Sequence, residues 1–317
     1  WFASSSSWKP VFVEQATHGR IYDAHRKQLL ASTMTNSGYV LQTATATGRW
    51  APEPGPLMPQ GTQDLLVGPA AVYAVTPWAA YRLQESVPAE AATTGGRDEL
   101  PVPPPLEPGG PGFVPASPAL QPGHLSVSAI NPQTGEIATY NGLRLTLLAP
   151  KTADGDLEIV QSKKIREAKD SVQLAYVQDG ITLALADGVI VMYNRDLEVV
   201  HEKELDGAPR PARMNVSPDG RYAALCLYNR DLWLYDSKNE ESWQRPKIGG
   251  QGKVYGADFS PEGHLLVAYD FNRVAEYALD PIARKDRYHA KREGIEKVYR
   301  MVLRPLYTIF PKPGMRL

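Results

Sequence analysis

A short turn phrase recurs four times in this chain, as Asn131-Pro-Gln-Thr-Gly135, Val177-Gln-Asp-Gly180, Ser217-Pro-Asp-Gly220 and Ser260-Pro-Glu-Gly263. Successive glycines lie 45, 40 and 43 residues apart, and each is followed by β-forming residues and then an aromatic or apolar run. A repeat of about 40–45 residues with a turn at constant phase is the sequence pattern of propeller blades, small sheets that must stack on one another to bury their faces. The expected fold is therefore all-β, a single β-propeller. A length of 317 residues allows two average domains, but all-β units often run this long as one.

The blade pattern is clearest from residue 124 to 281. Strands are expected at 125–130, 136–140 and 143–148, then at 181–186, 189–193 and 197–204. The next unit gives 212–216, 221–228, 232–235 and an outer segment near Trp243, and the last gives 254–259, 264–269 and 273–278. Asn141-Gly142 between two of these strands predicts a type I′ hairpin, which requires positive φ at both central residues. Residues 1–86 read less sharply, with strands expected at 9–14, 19–23, 28–33 and 39–43, then at 64–67, 71–75 and 78–83. That makes six blades. Five or seven stay open, because strands from both chain ends can share a blade to close a ring.

Two segments break the pattern. Residues 87–123 hold ten prolines and almost no apolar periodicity, so they are expected to be a disordered or extended insertion. A polyproline recognition motif around Pro101-Val-Pro-Pro-Pro105 is the alternative there. Residues 282–317 carry ten Lys/Arg against three Asp/Glu, whereas the rest of the chain is net −8. Within this basic tail Ile295, Val298, Tyr299 and Val302 fall at i, i+3, i+4 and i+7, which predicts an amphipathic helix ending before Pro305. Lys291, Arg292, Lys297, Arg300 and Arg304 fill its other surface. Such a tail can contact a partner, lie on an anionic membrane surface, or dock on the acidic propeller. Nucleic acid is not expected, since no aromatic–basic interleave accompanies the charge.

Catalytic and cofactor signals are absent from the sequence. Six histidines and one cysteine form no pair of metal-ligand spacing, so no metal is expected. Asp154-Gly-Asp156 lacks the ligand alternation of a calcium loop and reads as a turn. Leu65–Tyr81 is uncharged over 17 residues but carries Gly68, Pro69 and Pro77, which favours two short strands over a membrane span. No nucleotide loop and no Gly-x-Ser-x-Gly elbow occurs, so no cofactor and no catalytic residue is assigned. Ser217, Asp219, Gly220, Ser260, Glu262 and Gly263, with Gly135 and Gly180, are read as the repeat's structural turns. Cys226 sits in a strand-like run and reads as a buried, inert thiol. Trp233 and Tyr235 read as packing between sheets. Asp187, Asp231 and Asp270 fall near strand ends and could line a ring entrance, which keeps a sugar- or peptide-cleaving propeller enzyme as the runner-up.

At its Ser-Pro-Asp-Gly-Arg-Tyr and Ser-Pro-Glu-Gly-His-Leu turns the chain resembles WD40-like and YVTN-like bacterial propeller repeats over 124–280. It departs from the strict WD40 pattern in having no Gly-His pair opening a unit and no Trp-Asp closing one. That resemblance implies a non-catalytic interaction or regulatory role with protein partners. A shorter stretch, 298–314, resembles the segment leading back to the membrane in bacterial ABC-2-type permease subunits with an inserted soluble propeller. It implies the soluble part of a membrane transport assembly, with transporter subunits as partners. The Lys/Arg-rich flank would put the domain on the cytoplasmic side; a free cytosolic scaffold is the alternative.

Overall fold

The structure is a computed structural model. It describes residues 18–23, 28–35, 38–45, 55–87 and 110–289, with short breaks at 169, 171, 179, 208, 239–242, 247–252, 261–262, 270–272 and 280–281. Those residues form six antiparallel sheets, each a meander of consecutive strands.

The first sheet is β1 (His18–Asp23), β2 (Gln28–Thr35) and β3 (Gly38–Thr45). The second is β4 (Asp64–Val67), β5 (Val72–Val75), β6 (Ala80–Gln84) and β7 (Gly112–Pro115). The third is β8 (Val127–Ile130), β9 (Ile137–Tyr140), β10 (Arg144–Pro150) and β11 (Leu157–Lys164). The fourth is β12 (Gln173–Val177), β13 (Gly180–Ala184), β14 (Val189–Tyr193) and β15 (Val199–Glu204). The fifth is β16 (Pro211–Val216), β17 (Tyr222–Leu227), β18 (Leu232–Asp236) and β19 (Trp243–Gln244). The sixth is β20 (Val254–Phe259), β21 (Leu265–Tyr269), β22 (Arg273–Leu279) and β23 (Ile282–His289). Among the described residues there is no helix, and Leu65–Tyr81 forms β4, β5 and the start of β6.

Sequence explains the layering within each sheet. Middle strands such as β14 (Val-Ile-Val-Met-Tyr) and β17 (Tyr-Ala-Ala-Leu-Cys-Leu) are buried at every position. Both of their faces meet neighbouring sheets, so a continuous apolar run replaces alternation. Outer strands β11 and β15 are mostly exposed and mix charge with apolar residues. The first strands pack sheet to sheet, with β4 against β1 and β8, β12 against β8 and β16, and β20 against β16.

Five buried clusters join the six sheets in chain order. Leu41, Tyr81 and Phe113 link the first to the second, and Tyr73, Ile137 and Leu148 the second to the third. Tyr140, Leu147, Leu183 and Val191 link the third to the fourth. Met192, Leu225, Trp233, Tyr235 and Trp243 link the fourth to the fifth, and Leu234, Leu265 and Tyr277 the fifth to the sixth. Trp233 and Tyr235 thus pack between sheets as their sequence context predicts. Cys226 is buried in the last of these clusters, and burial pushes its thiol up to about 12, which keeps it protonated and inert.

Three expectations change. Residues 110–123 belong to the sheet system: Gly112–Pro115 is the outer strand of the second sheet, and Phe113 is fully buried against it. One aromatic side chain with a large contact area outweighs the surrounding prolines. Ile282–His289, expected to open the basic helical tail, is the outer strand of the sixth sheet, paired along β22. The helical stripe at 295–302 and the five tail cations lie outside the described residues, as does the strand expected at 9–14. Thirdly, Asn141-Gly142 is not a type I′ turn, because only Gly142 has positive φ (97°). Asn141 Oδ1 instead accepts from the amides of Leu143 and Arg144, an Asx turn that caps the hairpin from the side chain.

Candidate interaction surfaces

Each sheet has two ends. The turns between first and second strands lie at one end, where the repeated phrase maps. Asn131 Oδ1 accepts from the amides of Gln133 and Thr134, and Gly135 turns at φ 74°. Ser217 Oγ donates to Asp219 Oδ1 at 2.5 Å and accepts from the Tyr222 amide at 2.9 Å, while Gly220 takes φ 73°. Ser260 Oγ accepts from the His264 amide, and Gly263 takes φ 82°. Glu262 lies outside the described residues. The second repeat is built differently: Gly180 opens β13 with ordinary φ, and Gln178 carries the positive φ of 49°. A two-residue hairpin between Val177 and Gly180 needs its left-handed residue inside the loop, not at its end.

Polar side-chain contacts also occupy this turn end. Arg221 meets Asp236 through two bonds of 2.8 and 2.9 Å across β17 and β18. His264 Nδ1 lies 2.6 Å from Glu276 Oε1 on the neighbouring strand. Glu136 is buried and takes Arg195 at 2.8 Å and the Tyr176 hydroxyl at 3.1 Å, tying the third sheet to the fourth. Arg82 bonds the Asp154 carbonyl and the Asp156 carboxylate, so the calcium-like triplet is a turn tying the second sheet to the third. All of these contacts are explained by holding turns and sheets together.

At the opposite end lie the turns between second and third strands and the linkers entering each first strand. Here the fifth and sixth sheets bring arginines onto aromatic rings. Arg230, in the β17–β18 turn, stacks 4.4 Å above the Tyr255 ring and donates to its hydroxyl at 2.6 Å. Its φ is 71°, a left-handed conformation that costs a non-glycine residue about 1–2 kcal/mol. The Arg230 carbonyl accepts from the Val254 amide, so the strained residue is clamped at both backbone and side chain. Arg245 stacks 5.4 Å from the Trp233 ring and pairs with Asp231 at 3.2 Å. Tyr228 stands 51% exposed in the same turn, and its amide bonds the Arg210 carbonyl. Tyrosine, tryptophan and arginine are the residues that most often anchor protein interfaces, because they supply large rigid area together with directional polar groups.

The carboxylates singled out in the sequence separate at this end. Asp187 pairs with Arg166 at 2.9 Å in the third-to-fourth junction, and Asp231 pairs with Arg245 in the fifth sheet. Asp270 lies outside the described residues. Among the described residues no three His, Cys, Asp or Glu side chains gather into a group able to hold a metal ion. A carboxylate that the sequence did not single out is the most perturbed: Asp64, at the start of β4, is pushed up to about 6 by burial. Ser128 on β8 offsets part of that rise, and Asp64 Oδ2 is sealed from solvent without a partner.

No family model matches the sequence, and no curated protein is significantly similar to it. Solved structures do resemble it in fold. The WD40 domain of Neurospora crassa Pan2 superposes with a TM-score of 0.55 at 11% identity, over 85% of this chain and 78% of that one. The WD40 β-propeller domain of Doa1 gives 0.52 at 13% identity, over 86% and 78%. A protein from Lactobacillus plantarum gives 0.52 at 15% identity, over 83% and 82%. At such identities the likeness concerns the fold alone, and that fold is the β-propeller of WD40 domains.

Proposed function

We propose that this chain is a non-catalytic protein-interaction module, a six-bladed β-propeller whose binding face is the linker end of the fifth and sixth sheets. The observation that carries this reading is Arg230, held at φ 71° and stacked on Tyr255 beside the exposed Tyr228. A strained residue persists only where its surroundings over-determine it, and such positions cluster at functional surfaces. Site-specific placement of a photo-crosslinking amino acid at Tyr228, and separately at Asp219 on the turn end, tests the reading. The expected result is a protein adduct formed from position 228, lost when Arg230→Ala and Arg245→Ala are introduced. Adducts formed from position 219 alone, or unchanged by the two arginine substitutions, would sink it.

The finer reading, in which the propeller is the cytoplasmic soluble part of a membrane transport assembly, rests on sequence alone. Its support is the basic flank with Lys291, Arg292, Lys297, Arg300 and Arg304, together with the resemblance at 298–314. Pelleting of the full-length gene product after carbonate extraction supports that reading; release to the supernatant removes it.

A further inference from the structure

The rim of the molecule carries a second surface, independent of the linker-end cluster. In three outer strands an extra residue sits at the same point of the ladder. Leu147 and Leu148 face Gln161 and Ile159, leaving Val160 extra; Met192 and Tyr193 face His201 and Val199, leaving Val200 extra. Glu276 and Tyr277 face Asp286 and Arg284, leaving Lys285 extra. Each break falls opposite the fourth and fifth residues of its third strand. Bulges of this kind twist an outer strand and spoil it as a template for pairing. A charged residue at such a point would serve that purpose fully. Two aliphatic pairs do not: Ile159 and Val160 are 40% and 42% exposed, and Val199 and Val200 are 54% and 58% exposed.

Between these two bulged strands runs an open groove of about 220 Å³, lined by Val191, Tyr193, Leu197 and Val199. Its walls also hold Lys163, Lys164, Arg166 and Glu202, three cations against one carboxylate. Arg166 is taken up by Glu202 at 3.1 Å and Asp187 at 2.9 Å. Lys163 and Lys164 are exposed at the end of β11 and make no ion pair among the described residues. The groove therefore has the buried Val191, Tyr193 and Leu197 beneath it, the exposed Val199 at its edge and unpaired positive charge along one wall.

We infer that this rim groove between the third and fourth sheets docks an extended acidic–apolar segment of a protein partner. Its apolar side chains cover the exposed Ile159–Val160 and Val199–Val200 pairs, and its carboxylates meet Lys163 and Lys164. Charge at the groove selects an acidic segment over a basic one. The bulges block strand addition, so recognition runs through side chains.

Fluorescence anisotropy on the full chain tests this with a labelled peptide of about ten residues alternating glutamate and leucine. Its counterpart alternates lysine and leucine. The acidic peptide is expected to bind, and the double substitution Lys163→Glu/Lys164→Glu should weaken it at least tenfold while creating binding of the basic peptide. Val199→Glu should abolish binding of the acidic peptide. All three positions are exposed, so unchanged melting temperatures are expected and exclude misfolding as the cause. Equal binding of both peptides by the native chain, binding indifferent to the substitutions, or binding only of phosphatidylserine vesicles would overturn the inference. None of these outcomes bears on photo-crosslinking from position 228, so the two surfaces stand or fall separately.

Discussion

Asp64 is the residue where burial and charge conflict most directly. Its carboxyl is pushed up to about 6 from 3.8, so the folded chain holds that proton more tightly than the unfolded chain. Its contribution to stability is therefore full at about pH 4 and below, and is lost as the pH rises towards about 6 and beyond. Asp64→Asn is expected to raise the melting temperature at about pH 7.5, a gain on the order of 3 kcal/mol. At about pH 4 the gain should vanish; an equal gain at both pH values would contradict the assignment. Glycines give a second residue-level contrast. Gly142 and Gly207 both have positive φ, but a Cβ at Gly142 would enter the His124 ring whereas one at Gly207 meets nothing within 4 Å. Gly207→Ala should cost about 1–2 kcal/mol, the left-handed penalty alone, and Gly142→Ala clearly more by urea unfolding. Much of this scale was legible in sequence: Gly135, Gly220 and Gly263 announced themselves through the repeated phrase. Asp64 and Arg230 did not, because their partners Ser128 and Tyr255 are distant in sequence and no local spacing marks the pair.

Among the elements, consecutive sheets are held mainly by apolar clusters, with a few polar ties between them. The ties differ in burial, and that decides their worth. Arg195 reaches a Glu136 side chain that is only 7% exposed, whereas Arg210 and Asp170 are 62% and 48% exposed. Removing Arg195 strands a buried carboxylate beside the Tyr176 hydroxyl alone, so Arg195→Ala is expected to cost about 1–2 kcal/mol. Arg210→Ala should cost about 0.5 kcal/mol or less, since exposed pairs are screened. Denaturant midpoints of the two variants check the order, and a larger loss from Arg210→Ala would refute it. Sequence located the middle strands well because burial on both faces writes an unbroken apolar run, as in Val189–Tyr193. It located outer strands poorly. Gly112–Pro115 is four residues inside a proline-rich stretch, and Ile282–His289 is charged at half of its positions, so neither shows apolar alternation. An outer strand is specified by pairing with its neighbour, which a single sequence does not display.

For the whole molecule, the order of the sheets bears on how a ring would close. Leu57 bridges to Val40 and the Leu41 amide bonds the Pro56 carbonyl, so the outer side of the first sheet begins to be covered by the residues that directly follow it. The sixth sheet takes its fourth strand from Ile282–His289, also directly downstream. Among the described residues every sheet thus runs from inner to outer strand in chain order, and a closed ring needs packing between the first and sixth sheets. Distances between paired spin labels measure this directly, in a Cys226→Ala background. Val160 and Val200 report two neighbouring sheets, Val160 and Lys285 two opposite ones, and Leu57 and Lys285 the junction of first and last. A closed six-bladed ring predicts a Leu57–Lys285 distance close to that of Val160–Val200 and much shorter than that of Val160–Lys285. A Leu57–Lys285 distance longer than both would mean an open arc of stacked sheets, and the propeller ring would have to be abandoned.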